Sequence, residues 1–202
     1  MGMGMVPLLL PPLLLLVNLV PTLGAAAPAS DVLVWPQPAH VDASGASDVA
    51  LSASFAFAPL TPPGAAEAMA LLSAASQRYA ARIHESDRQA RSRGGLDELK
   101  VQVSSVNATL TQGVDESYEL SVSAVEATLR AQTVFGALRG MESFAQLVNT
   151  STHSVPAVSI NDAPRFPYRG ILVDTARHYL NVSRLEQIVD SMEMHKLNVL
   201  QV

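Results

Sequence analysis

The sequence predicts two units in tandem: an α+β domain, with helices on one face of an antiparallel sheet, followed by a single βαβ unit. Three observations predict it. From about residue 31 to 161 the hydrophobic pattern runs strand, helix, strand, strand, strand, helix, which suits a two-layer α+β arrangement. Next, Ile171-Leu172-Val173 is a continuous apolar run, too short for a helix and lacking the alternation of a half-exposed strand. A helical pattern of about fourteen residues then leads to a second apolar run, Leu197–Val202, and strand–helix–strand at that spacing is one βαβ unit.

The first thirty residues stand apart from both units. Leu8 to Val20 is apolar except for Asn18 and two prolines, and it leads into Gly24-Ala25-Ala26-Ala27-Pro28-Ala29-Ser30. A short apolar core followed by small residues reads as a secretory signal peptide, here residues 1–29, although no Lys or Arg precedes the core. Pro11, Pro12 and Pro21 leave too little uninterrupted length for the ~20 apolar residues of a stable membrane span. Three Asn-x-Ser/Thr sequons, at Asn107, Asn149 and Asn181, are candidate glycan acceptors on that route.

The α+β unit then builds in order. Asp31-Val-Leu-Val-Trp-Pro-Gln-Pro38 is extended, with Trp35 expected as a plug at the domain edge. Val49, Leu51, Ala53, Phe55 and Phe57 alternate with small residues and predict a strand with one apolar face. Thr61-Pro-Pro-Gly64 breaks it, and Ala65 to His84 predicts a helix with Met69, Leu72, Tyr79 and Ile83 on one stripe. Arg78, Arg82, Arg88, Arg91 and Arg93, interspersed with Glu85 and Asp87, read as a solvated face and loop. Leu99–Val106, Tyr118–Val122 and Ala127–Ala131 predict strands, the last two at hairpin distance. At Thr133 the period changes: Val134, Leu138, Met141, Ala145 and Val148 mark one helical face. Gly136 and Gly140 lie one turn apart there, and each costs a helix about 1 kcal/mol relative to alanine, which implies close approach to a neighbouring backbone. Val155–Ile160 reads as an edge strand or linker.

The second unit opens at Pro164. Its helix is expected to begin near Asn181, with Ser183 and Glu186 at capping-box spacing. A (β/α)8 barrel takes about 250 residues, far more than follow Pro164.

Composition removes several functions. A net charge of −5 and a pI near 5.5 argue against nucleic-acid binding. With no cysteine there is no disulfide framework and no thiolate chemistry. His40, His84, His153, His178 and His195 are scattered without metal-ligand spacing, so neither metal nor cofactor is expected. No glycine-rich phosphate loop or assignable Ser-His-Asp set appears. Glu186, Asp190 and Glu193 read as the solvated side of the last helix.

What remains is Asp174, Thr175, Arg177 and His178, at the expected carboxyl end of the strand, where α/β folds place their ligands. Arg177 could present its planar fork of donors to vicinal hydroxyls or a carboxylate, with Asp174 holding Arg177 or His178. Equally, the cluster could be an ion pair that closes a βα loop.

Phe166-Pro-Tyr-Arg-Gly-Ile-Leu-Val-Asp-Thr-Ala-Arg-His-Tyr179 with Lys196-Leu-Asn-Val-Leu200 strongly resembles the β-N-acetylhexosaminidases of glycoside hydrolase family 20. Val34–Pro38, Asp115–Leu120 and Val134–Leu147 look like the same family. The resemblance implies a small α+β domain over residues 31–161, then the first β-α-β of an incomplete (β/α)8 TIM barrel over 164–202. It implies substrate-assisted, retaining hydrolysis of terminal non-reducing N-acetylhexosamines from glycans or glycoconjugates, an exception to the two-carboxylate scheme. By resemblance, Arg177 binds hydroxyls of the terminal sugar and Asp174 supports it.

The family's catalytic Asp-Glu pair matches nothing in this chain, and relatives continue into His-Trp-His where this sequence reads Gln201-Val202. The expectation is therefore that these 202 residues hold no catalytic residue and are inactive alone. The alternative is a non-catalytic truncated product, or a folding or interaction module. A lysosomal, vacuolar or extracellular destination is expected, and a homodimer is open for a completed chain.

Overall fold

The computed structural model describes residues 33–43, 47–84 and 94–202. The signal reading over 1–29 and the Glu85–Arg93 charge cluster lie outside the described residues.

The elements are β1 His40–Asp42, β2 Asp48–Leu60, α1 Ala66–His84, β3 Leu96–Val103, β4 Tyr118–Val122, β5 Ala127–Ala131 and α2 Val134–Leu147. Then come β6 Ser154–Pro156, β7 Val158–Asp162, β8 Gly170–Leu172, α3 Val182–Met194 and β9 Val199–Gln201. The first seven strands form one sheet in the order β1-β7-β4-β5-β3-β2-β6.

That sheet is mixed rather than antiparallel. β4 pairs antiparallel with β5 and β7, but β2 with β3 and β3 with β5 run parallel. For β2 and β3 the reason is α1: a helix that returns the chain across one face of the sheet delivers the next strand in the same direction as the last. Val155–Ile160, expected at an edge, splits into β6 on one edge and β7 in the interior between β1 and β4.

The helices occupy one face, as the alternation requires. Leu99, Val101 and Val103 of β3 are buried, whereas Lys100 and Gln102 between them are only half-buried. Arg130 of β5 lies with Gln102 on that outer face, its Nε donating to Gln102 Oε1 at 3.1 Å. The core is aromatic where the helices meet β2. Phe55 stacks on Phe144 of α2 at 5.4 Å, and Phe57 packs against Tyr79 of α1 at 6.0 Å. Full burial of such side chains stabilises by roughly 1.5–3 kcal/mol each. Ala53 leaves the apolar face because β2 is irregular between Leu51 and Ala56, which flips the alternation locally. Trp35 is no plug: it is 66% exposed.

The βαβ unit forms as expected, with β8 and β9 parallel in a separate two-stranded sheet. Its strand is not covered on both faces, however, and Leu172 is 66% exposed. α3 starts two residues earlier than a Ser183–Glu186 capping box needs. Asn181 is the N-cap, and its Oδ1 accepts from the Arg184 N–H at 3.0 Å.

The two helix glycines do admit close neighbours. A Cβ on Gly136 would lie 2.2 Å from the Ser117 carbonyl oxygen, and one on Gly140 would lie 2.2 Å from Leu129 Cδ1. A carbonyl held in the chain yields less readily than a leucine methyl. Gly136→Ala is therefore expected to destabilise the protein by roughly 1–3 kcal/mol despite alanine's better helix propensity, and more than Gly140→Ala. Chemical denaturation of both variants checks the order.

Candidate functional site

The two ends of β8 differ in kind. At the carboxyl end the chain turns through Asp174 to His178. Asp174 Oδ1 accepts from the backbone N–H groups of Ala176 and Arg177, each at 3.0 Å. This is the local turn geometry aspartate favours, with the side chain satisfying backbone two and three residues on. Asp174 Oδ2 then accepts from Arg177 Nη1, so one carboxylate fixes both the turn and the guanidinium. The Arg177 side chain remains 81% exposed, and His178 and Tyr179 beside it are exposed. The ion pair that closes the βα loop is thus present, and the guanidinium it holds stays exposed at the strand end. Thr175 is exposed on the same turn.

At the amino end a buried carboxylate collects the polar contacts. Glu116 is 5% exposed, and its Oε2 accepts from Arg139 Nε of α2 at 2.7 Å and from Arg169 Nη2 at 2.6 Å. Arg169 spends its other donors on the carbonyls of Lys196 and Phe166, at 2.8 and 2.7 Å. Asn198 accepts from the Arg169 N–H at 3.0 Å and donates to the Pro167 carbonyl at 2.9 Å. The segments leading into both parallel strands are therefore clamped to the α+β domain.

Lys196 is the second anchor. It follows α3 in the left-handed region, with φ of 56°, while Leu197 N–H bonds the Met192 carbonyl and Lys196 N–H bonds that of Glu193. That is a Schellman ending, whose left-handed position usually takes glycine. A lysine there costs conformational energy, offset by where its side chain goes. Lys196 Nζ donates to Ser143 Oγ at 2.6 Å and Tyr118 Oη at 3.3 Å, and lies 3.9 Å from Asp162. Burial pushes the ammonium down to about 8, with Arg139 and Arg169 adding to the fall and Asp162 and Glu142 opposing it. Burial likewise raises the Tyr118 hydroxyl far above its usual range.

Several residues read as solvated prove to be connectors. Arg82 makes a two-point pair with buried Glu142, both contacts at 3.1 Å. Arg78 bonds Glu193 of α3 at 2.6 Å, and Tyr79 Oη donates to the same oxygen at 3.2 Å. The sequence offered one signal for this: Arg139, Glu142, Ser143 and Gln146 interrupt an otherwise apolar helix. Among the described residues no group of three or more His, Asp or Glu is placed to hold a metal ion, and no helix is long and apolar enough to cross a membrane.

Residues 34–147, more than half the chain, match the family model described as beta-acetyl hexosaminidase like. Residues 166–202 match the catalytic-domain model of glycosyl hydrolase family 20. The chain belongs to glycosyl hydrolase family 20. It is 38% identical over 182 residues to beta-hexosaminidase subunit beta of Sus scrofa, covering 85% of this chain and 34% of that one. Its fold superposes on the Flavobacterium johnsoniae chitobiase with a TM-score of 0.69 at 24% identity, covering 83% of this chain and 26% of the other. For the Vibrio harveyi exo beta-N-acetylglucosaminidase solved with N-acetylglucosamine, the TM-score is 0.56 at 26% identity, with 83% and 24% covered. This family 20 chain thus spans about a third or less of the length of these relatives. Most of the side chains in the two clamps, Glu116, Tyr118, Arg139, Ser143, Arg169, Lys196 and Asn198, fall in the matched segments.

The Lys196 shift carries a pH dependence. Its folded value of about 8 lies below the ordinary 10.5, so between those limits the unfolded chain holds a proton the folded chain has released. Stability from this group is lowest below pH 8 and rises as pH climbs from 8 toward 10.5. Urea midpoints of the wild type relative to Lys196→Met should move in the wild type's favour across that window.

Proposed function

We propose that this sequence serves a β-N-acetylhexosaminidase that removes terminal non-reducing N-acetylhexosamines from glycans by the substrate-assisted route. In this reading residues 31–161 are the family's α+β domain and 164–202 begin its catalytic TIM barrel. Arg177 binds hydroxyls of the terminal sugar, and Asp174 supports it. The observation that carries the reading is the exposed Arg177 fork fixed at the carboxyl end of β8 within the segment matching the catalytic domain. Five fixed N–H donors on a planar group suit a pair of adjacent hydroxyls, and a carboxylate holding one edge leaves the others free to donate.

A secretory route to a lysosomal, vacuolar or extracellular site belongs to the same reading. Asn107, Asn149 and Asn181 are exposed, and each side-chain oxygen accepts a local backbone N–H, from Thr109 at 2.8 Å, Ser151 at 3.0 Å and Arg184 at 3.0 Å. Glycan attachment at the amide nitrogen would keep all three bonds.

The direct test grafts residues 33–202 in place of the matching segment of the porcine relative and assays release of an aryl aglycone from an N-acetylglucosaminide. The chimaera is expected to hydrolyse it, and Arg177→Ala within the chimaera to lower kcat/KM by about a hundredfold or more, the scale of losing charge-assisted hydrogen bonds to substrate. The 202-residue chain assayed alone is expected to show no turnover. Full activity of the Arg177→Ala chimaera would remove that residue from the sugar site.

A further inference from the structure

A cleft of about 590 Å3 lies between the α+β domain and the βαβ unit, at the amino ends of β8 and β9 and so away from Arg177. Its walls are apolar: Pro36, Ala39, Ala163, Pro164 and the ring of Phe166. That volume lies in the range of small-molecule sites, and the lining, apolar with a few convergent polar groups, is their usual chemistry.

The polar groups are mostly cationic. Arg139, Arg165, Arg169 and Lys196 line the cleft, against Asp162 in the wall and Glu116 bonded behind it. Two of these cations are spent. Arg169 uses Nε, Nη1 and Nη2 within the clamp, and Lys196 is bonded to Ser143 and Tyr118. Asp162 is spent as well, with Oδ1 accepting from the Ala39 N–H at 3.0 Å.

Arg139 differs. Its Nε is committed to Glu116, which orients the guanidinium, but among the described residues Nη1 and Nη2 make no hydrogen bond to protein. Its side chain is only 13% exposed and it lines the cleft, so its uncommitted donors sit in a largely dehydrated position at the cleft wall. A planar pair of unbonded N–H groups on a largely desolvated guanidinium is the half of a fork that a carboxylate completes in two-point fashion. Arg165 lies over the Phe166 ring at 5.4 Å, adding a second cation next to the largest apolar wall.

We propose that this cleft binds a small carboxylate with a flat apolar body, its carboxylate held by Nη1 and Nη2 of Arg139 and its body lying against Phe166 and Pro164. The site stands independently of the hydrolase reading, because it uses neither Arg177 nor the carboxyl end of β8.

Naphthoate is the probe, with naphthylmethanol as its neutral counterpart, titrated calorimetrically into the full chain. Naphthoate is expected to bind, and the alcohol to bind about tenfold or more weakly because it cannot complete the fork. Arg139→Gln should lower naphthoate affinity by a similar factor. That variant also disturbs the Glu116 clamp, so Ala163→Trp provides the second arm: it fills the cleft, leaves both arginines in place, and should abolish binding. Circular dichroism confirms that each variant is folded. Absence of naphthoate binding, equal affinity for acid and alcohol, or unchanged affinity in folded Ala163→Trp would each overturn the proposal.

Discussion

Glu116 is the carboxylate on which the arrangement of the two units depends. It is buried, it belongs to the loop before β4, and it receives one arginine from α2 and one from the approach to β8. Taking a carboxylate out of water costs several kcal/mol, recovered only when its oxygens are fully bonded. Here the recovery needs both units at once, since Arg139 comes from one and Arg169 and Asn198 from the other. Removing one partner of such a buried set costs about 3–5 kcal/mol, because the remaining charge is stranded. The docking of the βαβ unit is therefore geometrically exacting as well as favourable.

The same constraint explains the contrast between the ends of β8. A two-stranded parallel sheet with one helix cannot bury its own strands, and Leu172 and Val189 remain half-exposed or more. Its order comes from the amino end, where Arg169, Lys196 and Asn198 are fixed, and from α3, where Glu193 meets Arg78 and Tyr79. At the carboxyl end the side chain of Asp174 bonds its own turn and Arg177. A rigid base beneath an open, polar turn is the division of labour that α/β folds use to hold ligands at strand ends. Lys196 fits this account: a left-handed lysine is tolerable because its ammonium reaches Ser143 and Tyr118 across the interface.

The sequence by itself determined most of the features that repeat over a few residues, apart from the irregular stretch of β2 around Ala53. The alternation of β2, the helical stripes of α1 and α2, the hairpin of β4 and β5, and the βαβ order of β8, α3 and β9 all follow from side chains two, three or four positions apart. It also located the close approach at Gly136 and Gly140, because a glycine in a helix is a local cost with few explanations. The turn residues Asp174 and Arg177 were legible for the same reason, lying three apart in one loop.

Only the tertiary structure decided which strands of the larger sheet run parallel, because direction there depends on how the connections cross the sheet and not on the strand's own pattern. It alone joined Glu116 to Arg139 and Arg169, residues 23 and 53 positions away, and turned Arg78, Arg82 and Glu193 from apparent surface charges into connectors. A charged residue on a helix carries no local mark of whether water or a distant partner will solvate it. That choice is made by packing, when the approach of two units removes the water and leaves the opposite charge as the remaining partner.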